Sequence, residues 1–365
     1  MVVLREGIAR LFMLNSTARS FWERFTTGIQ PDQIAAEWQL EYGLDKGRAS
    51  AEVEKLIASF TQAGMLGPPD SGAPRVSSGL SPARFECGPT APQPRHCHNV
   101  ARTFSVQCSS RELEQRVRWI YTHLEAPDES SQAQLEIVEH PNGYSINLDG
   151  LELAALDSFE QLLPAILFHV GELGRQDRSQ VLVLHAGAVA RGGRCLLFPA
   201  NSGSGKSTLV AYLCHNGFDY LSDDMTPIDA ASLQAEPAPT CLSIKSGSWN
   251  VVARFRPDLM ERQPIPGIRP MRLLTPPPTE SAIWRRRYPV SGIVCPRFDP
   301  SKRTALQSLN PFELLQEIVD SQAYFQQPLL PDRVARLVQW VAEVPGYRMD
   351  YASLEEAARQ IESLI

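Results

Sequence analysis

The stretch PANSGSGKST, Pro199 to Thr208, decides how the rest of the chain is read. Gly205-Lys206-Ser207 closes the phosphate-loop pattern G-x-x-x-x-G-K-[ST], yet the position of the opening glycine is held by Ala200. Such a loop works because successive backbone N–H groups and a helix N-terminus face one anion, with a lysine and a hydroxyl added. The flanks suit that geometry. The apolar run from Cys195 to Phe198 predicts a strand entering the loop, and KSTLVAYLCHNG predicts a helix in which Leu209, Val210 and Leu213 pack inward. Gly203 and Gly205 supply the backbone freedom that a wrapped loop needs. Ala200 costs little if its position requires no positive φ. The phosphate contacts expected on this reading run through Ser202, Gly203, Ser204, Gly205, Lys206, Ser207 and Thr208. Lys206 reaches the β- and γ-phosphates and Ser207 ligates Mg²⁺.

Two acids follow at Asp223-Asp224, where DYLSDD ends. An aspartate ending a strand beside such a loop suits either Mg²⁺ binding or proton acceptance from an attacking hydroxyl, although Asp-Asp is also an ordinary turn. His185 lies fifteen residues before Ala200, after an apolar run, and taken alone reads as a core histidine.

Composition narrows the setting. The 365 residues are 43% hydrophobic and 21% charged, as in ordinary globular chains, and the length leaves room for two or three domains. A net charge of -6 argues against general nucleic-acid binding. No apolar run reaches the roughly 18 residues of a membrane span. The charged N-terminus does not read as a signal peptide. Seven scattered cysteines (Cys87, Cys97, Cys108, Cys195, Cys214, Cys241, Cys295) fit reduced thiols in a cytoplasm. His96-Cys97-His98, with Cys87 nearby, lies in Pro-rich sequence and reads as loop rather than metal site.

Along the chain, residues 1–13 predict one or two short strands. A helix follows from Asn15 or Ser16, with Ala18, Phe21, Trp22 and Phe25 as its apolar stripe. Ile34, Ala35 and Trp38 mark a second helix; Val53, Leu56, Ile57 and Phe60 mark a third that stops at Gly64. Together, residues 1–66 form a small winged-helix-like unit. Residues 67–98, rich in Pro, Gly and Ser, read as a linker. A last region, 99–365, divides into an N-terminal part of about 99–180 and a core of about 181–365. In it FSVQC predicts a strand, RELEQRVRWIYTHL a helix, QLEIVEH and GYSINLD a hairpin, and SFEQLLPAILFHVGELG a helix. Strands are expected at VLVLHAGAVA, DYLSDDMTPI, LSIK and SGIVCPRF, and two helices around LLQEIVDSQAYF and PDRVARLVQWVAEV. The Pro-rich 256–289 segment carries Arg285-Arg286-Arg287, read as a solvated loop face before a grip for an acidic peptide.

Taken together, HAGAVARGGRCLLFPANSGSGKST and GFDYLSDD resemble the HPr kinase/phosphorylase family over roughly residues 100–355. In that family an "HG" or "HA" strand and a "DD" pair flank the loop at the same spacings. The resemblance implies an α/β, or α+β, multidomain protein with a P-loop kinase domain akin to phosphoenolpyruvate carboxykinase, using ATP and Mg²⁺. Carried over by position, Asp223 is the general base, His185 assists it, Lys206 and Ser207 contact phosphate and metal, and Asp224 supports the metal. LSIKSGSW and IVCPRFDP resemble the HPr-kinase-related proteins that accompany peptide-modifying enzymes, including lasso-peptide kinases. That adds Lys245 and Arg297 as phosphate candidates. Lys245 stands where HPr kinases have an arginine and Ser243 where they have a glutamate, a departure that points away from HPr as acceptor and from the phosphorylase reaction.

The front of the chain, MLNSTARSFWERFTTGIQPDQIAAEWQLEYGLD with VEKLIASFTQAGML, resembles the PqqD family, whose fold serves as a recognition element for ribosomally made, modified peptides (RiPPs). There a leader peptide adds a strand to a small sheet. The two resemblances imply a cytoplasmic kinase that phosphorylates Ser or Thr in a precursor peptide whose leader residues 1–66 hold. A regulatory HPr-type or free-amino-acid kinase, and a nucleotide-binding but inactive peptide chaperone, stay open beside it. Homo-oligomerisation also stays open.

Overall fold

The computed structural model describes residues 2–4, 11–13, 16–62, 91–98, 103–126, 130–173, 180–266, 269–278, 280–321, 324–325 and 330–365. They form a mixed α/β protein with several sheets and ten helices. Contacts divide the chain into two compact units, Met1–Ser77 with Gln327–Pro331, and Ser78–Gln326 with Asp332–Ile365.

In the first unit β1 (Val2–Leu4) pairs antiparallel with β2 (Leu11–Met13), and α1 (Ser16–Thr26), α2 (Pro31–Tyr42) and α3 (Lys46–Gln62) follow. Proline at its first position opens α2, where the missing N–H costs nothing, and Gly43 at φ 64° closes it in the left-handed region. The helices bury Phe21, Ile34, Ala35, Trp38, Ala49, Val53 and Phe60 together, with Trp22, Phe25, Leu56 and Ile57 packed against them. These are the apolar stripes expected from the 3.6-residue period. Full burial of a side chain such as Phe21 or Ile34 stabilises by roughly 1.5–3 kcal/mol. Asn15 and Gly64, expected as cap and stop, lie outside the described residues.

The second unit begins with a five-stranded sheet, in the order β3-β4-β5-β6-β7: β3 (Arg95–His98), β4 (Thr103–Cys108), β5 (Ala133–His140), β6 (Gly143–Leu148) and β7 (Leu151–Leu156). The crossover from β4 to the parallel β5 contains α4 (Arg111–Val117), and α5 (Phe159–Leu173) packs Leu162, Leu163, Ile166 and Val170 into the sheet's core. Arg95–His98, expected inside the linker, is thus an edge strand. Alternation along it buries Cys97 completely and leaves His96 and His98 half-buried on the other face, so the three do not converge on a metal. The expected RELEQRVRWIYTHL helix stops at Val117 and continues as 3-10 turns. The tighter turns bring Ile120, Tyr121 and Leu124 into the core, and burial there overrides helix propensity.

The rest of the unit is built on a six-stranded sheet in the order β11-β9-β10-β15-β18-β16. Its nucleus and satellites run in chain order as β8 (Gln180–Leu184), β9 (Ala186–Arg191), β10 (Arg194–Pro199), α6 (Lys206–His215), β11 (Asp219–Ser222), β12 (Thr226–Asp229), β13 (Leu242–Lys245) and α7 (Trp249–Val252). Then come β14 (Met271–Leu274), β15 (Val290–Phe298), β16 (Ala305–Leu309), α8 (Pro311–Asp320), β17 (Tyr324–Phe325), α9 (Pro331–Glu343), β18 (Gly346–Tyr351) and α10 (Leu354–Glu362). The single strands expected at VLVLHAGAVA and DYLSDDMTPI each divide between two sheets. β8 and β12 join β17 in a three-stranded sheet, whereas β9 and β11 join the six-stranded one. The breaks fall at His185 and at Asp223–Met225, so both motifs sit where the chain changes sheets.

Strands β10, β15 and β18 are parallel neighbours, and β11 runs antiparallel to β9, which is itself antiparallel to β10. The C-terminal ends of β10, β11, β15 and β18 and the start of β9 therefore share one edge. Ligands in sheets of this kind bind outside the carboxyl ends of parallel strands.

Candidate functional site

The loop of residues 200–205 leaves the C-terminal end of β10 and delivers Lys206 to the first position of α6. Gly203 and Gly205 have φ of 97° and 88°, where a side chain is strained. Ala200 is not among the residues of positive φ, so its position makes no demand for glycine. Close packing beneath the loop comes from Gly187 on β9. A Cβ there would lie 2.6 Å from Val210 Cγ2 and 3.6 Å from Lys206 Cγ, and its absence lets α6 lie down on the strand.

A cavity of about 810 Å³ opens above this edge. The loop from Asn201 to Thr208 lines it, and so do His185, Asp223, Asp224, Lys245, Arg254 and Arg269, with Phe298 and Tyr351 at two strand ends. The structure thus brings together the expected phosphate, metal and base candidates except Arg297. That side chain lies outside the cavity and pairs with Glu317 at 2.7 Å.

Asp223 and Asp224 differ sharply in environment. Asp223 is 2% exposed; its Oδ2 accepts the Ser243 N–H at 3.1 Å, and its Oδ1 is buried with no hydrogen-bond partner. Burial pushes its pKa up against the pull of the Lys206 ammonium, and Asp224 adds to the rise. The Ser207 hydroxyl lies close enough to favour the charged carboxylate without closing a hydrogen bond to it. Asp224 is largely exposed, with Oδ1 3.4 Å from His185 Nε2 and 3.8 Å from Lys206 Nζ.

The two cations respond to the same surroundings. Burial lowers the pKa of Lys206, and the two carboxylates offset part of the drop. Burial, with Lys206 beside it, holds His185 below the ordinary imidazole value, and Asp224 opposes them. Lys245, at the end of β13, donates to the Ser202 hydroxyl and so closes over the loop. The arrangement concentrates positive charge and helix N-terminal amides around one space, with a buried carboxylate of raised pKa at its floor. It can hold an anion and take a proton beside it.

Arg254, Arg269 and Tyr351 carry no motif, and the sequence reading passed over them. They come from loops and a strand end distant in sequence, which only the tertiary fold assembles. Arg285-Arg286-Arg287 is exposed, as expected of a solvated face, but Arg286 and Arg287 also make contacts within their own unit. Arg287 reaches Glu236 at 2.7 Å and Asp229 at 3.3 Å, and Arg286 donates to the Tyr288 hydroxyl at 3.0 Å. The six described cysteines are free thiols. Among the described residues, no group of three or more His, Cys, Asp or Glu side chains could hold a metal, and no helix is long and apolar enough to cross a membrane.

Comparison with curated proteins gives no match for the chain. Residues 1–66, which carry the β1–β2 pair and the three helices, match the family model described as coenzyme PQQ synthesis protein D (PqqD), and the front of the chain is a PqqD-like module.

Proposed function

We propose that the protein is an ATP-dependent phosphotransferase of the HPr-kinase-related type, acting on a Ser or Thr hydroxyl of a ribosomally made precursor peptide. The PqqD-like module, residues 1–66, would recruit the peptide through its leader. The observation that carries the kinase reading is Asp223: a buried carboxylate with one orphaned oxygen, facing the cavity that the Gly203–Ser207 loop lines.

On this reading the amides of the loop hold the β-phosphate and Lys206 lies against the β- and γ-oxygens. The donors present also suit Mg²⁺, which takes oxygen ligands and keeps several waters: the Ser207 hydroxyl and the Asp224 carboxylate would hold it. Bound there, the ion would neutralise charge on the phosphates. Asp223 accepts the proton of the acceptor hydroxyl as its oxygen bonds to the γ-phosphorus and the bond to the β–γ bridging oxygen breaks, releasing ADP. A raised pKa makes Asp223 a better proton acceptor than an exposed aspartate. Asp224, paired with His185 and Lys206, keeps those groups aligned.

The test is transfer of label from γ-labelled ATP to a precursor peptide. Lys206→Ala should abolish transfer and weaken ATP binding. Asp223→Asn should keep ATP affinity and cut transfer by roughly 10²–10⁴-fold, the span typical of general acid–base catalysis. Undiminished transfer by Lys206→Ala would overturn the reading of the loop as the phosphate site. A wild-type protein that binds ATP and leader yet transfers nothing would assign it to peptide chaperoning.

A further inference from the structure

Two strand ends reach the loop from behind. At the end of β15 the Phe298 N–H donates to the Ser204 carbonyl at 2.9 Å. At the end of β18 the Tyr351 hydroxyl donates to the Gly205 carbonyl at 3.1 Å. The same Gly205 carbonyl accepts the Leu209 N–H at 2.9 Å, the first bond of α6. The two aromatic rings meet edge to face, with centroids 5.5 Å apart.

The peptide plane converts these contacts into a statement about amides. In a planar trans peptide, the carbonyl of one residue and the N–H of the next point in opposite directions. Holding the Ser204 and Gly205 carbonyls back therefore turns the N–H groups of Gly205 and Lys206 the other way, out of the helix N-terminus. The fit at Gly205 is tight. Tyr351 Oη stands 2.1 Å from where a Cβ would be, so the hydroxyl occupies the space that the absent side chain leaves. Tyr351 itself is 1% exposed, and its ring cannot swing away without disturbing the core around it.

We infer that Tyr351 is a positioning residue for phosphate binding: with the Phe298 amide it fixes the last two peptide planes of the loop so that their N–H groups face the anion. The inference rests on the reading of the loop as a phosphate cradle. It adds a third strand to that cradle, contributed from near the other end of the second unit's sequence. Nothing in the local motif encodes it.

Calorimetric titration of the full chain with ATP·Mg²⁺ and with inorganic tripolyphosphate·Mg²⁺ separates the possibilities, alongside melting of the unliganded protein. Tyr351→Phe keeps the ring and removes only the donor. The Gly205 carbonyl keeps its Leu209 partner, so the unliganded melting temperature should change little. Affinity for both ligands should fall by the same factor, roughly 3- to 10-fold, the worth of one hydrogen bond. Unchanged tripolyphosphate affinity in a wild-type background that binds it would overturn the role of Tyr351 alone. A loss confined to ATP would also overturn it, because the effect would then lie away from the phosphates. A lower melting temperature with unchanged affinities would make Tyr351 merely structural. Failure of the wild type to bind either ligand would remove the cradle reading itself.

Discussion

Neighbouring residues of the same type acquire different chemistry from their surroundings. Asp223 and Asp224 are equivalent as letters, and the sequence does not tell which of them is buried. That depends on Ser243, whose amide comes from β13 twenty residues on, and on burial beneath the loop. Ala200 was legible in the other direction, because φ alone decides whether glycine is required there. Environment also sets a pH dependence away from the cavity. His123 Nε2 bonds the Pro239 carbonyl, its Nδ1 is covered and has no partner, and its pKa is lowered to about 4, chiefly by burial. Because the folded value lies below the ordinary 6.5, the unfolded chain binds the proton first as pH falls. The stabilisation is full above pH 6.5 and is lost as pH falls toward 4. Between pH 7 and pH 5 the loss should reach up to about 2 kcal/mol. Urea unfolding of the wild type and His123→Phe at both pH values checks this. The variant should show a correspondingly shallower pH dependence, and equal slopes would refute the assignment.

Among elements, the strand–loop–helix around PANSGSGKST was readable because its information is local: an apolar strand, glycines, and a helix with inward Leu209, Val210 and Leu213. The breaks at His185 and at Asp223–Met225 were not readable. The apolar runs continue through them, and only the pairing of β8 with β12 and of β9 with β10 separates the two sheets. Strands β7, β16 and β18 and helix α10 were passed over, and with β18 went Tyr351. What joins β9 to α6 is the missing side chain at Gly187. Gly187→Ala would place a Cβ 2.6 Å from Val210 Cγ2, inside contact distance and against a fully buried side chain. Overpacking of this kind costs about 1–3 kcal/mol. The displaced helix should also lower ATP affinity, since Lys206 opens it. Adding Val210→Ala makes room, so the double variant should be less destabilised than the two single effects summed. Thermal melts of the four proteins measure that coupling; strict additivity would mean that the two residues do not meet.

For the whole molecule, a PqqD-like module and a unit with a cavity of about 810 Å³ share one chain, and that pairing yields the most discriminating expectation. If residues 1–66 hold the leader, binding there makes encounter of the core peptide with Asp223 intramolecular. Tethering supplies an effective concentration of up to about millimolar while leaving the chemistry alone. Deleting residues 1–66 should therefore raise KM for a full-length precursor and leave kcat near its intact value. It should have no effect on a leaderless peptide, which cannot use the tether in either protein. Residues 1–66 contain a core of their own, with Phe21, Ile34, Trp38 and Val53 buried together, so the isolated segment should fold and bind the leader without ATP. Label transfer measured with two peptides and two proteins, together with leader titration into the isolated segment, covers each arm. A regulatory kinase of a folded protein would show no leader dependence, and an inactive chaperone would bind leader and transfer no label. Equal efficiency of the intact protein on full-length and leaderless peptide would reject recruitment through the front module, even with the phosphoryl chemistry intact.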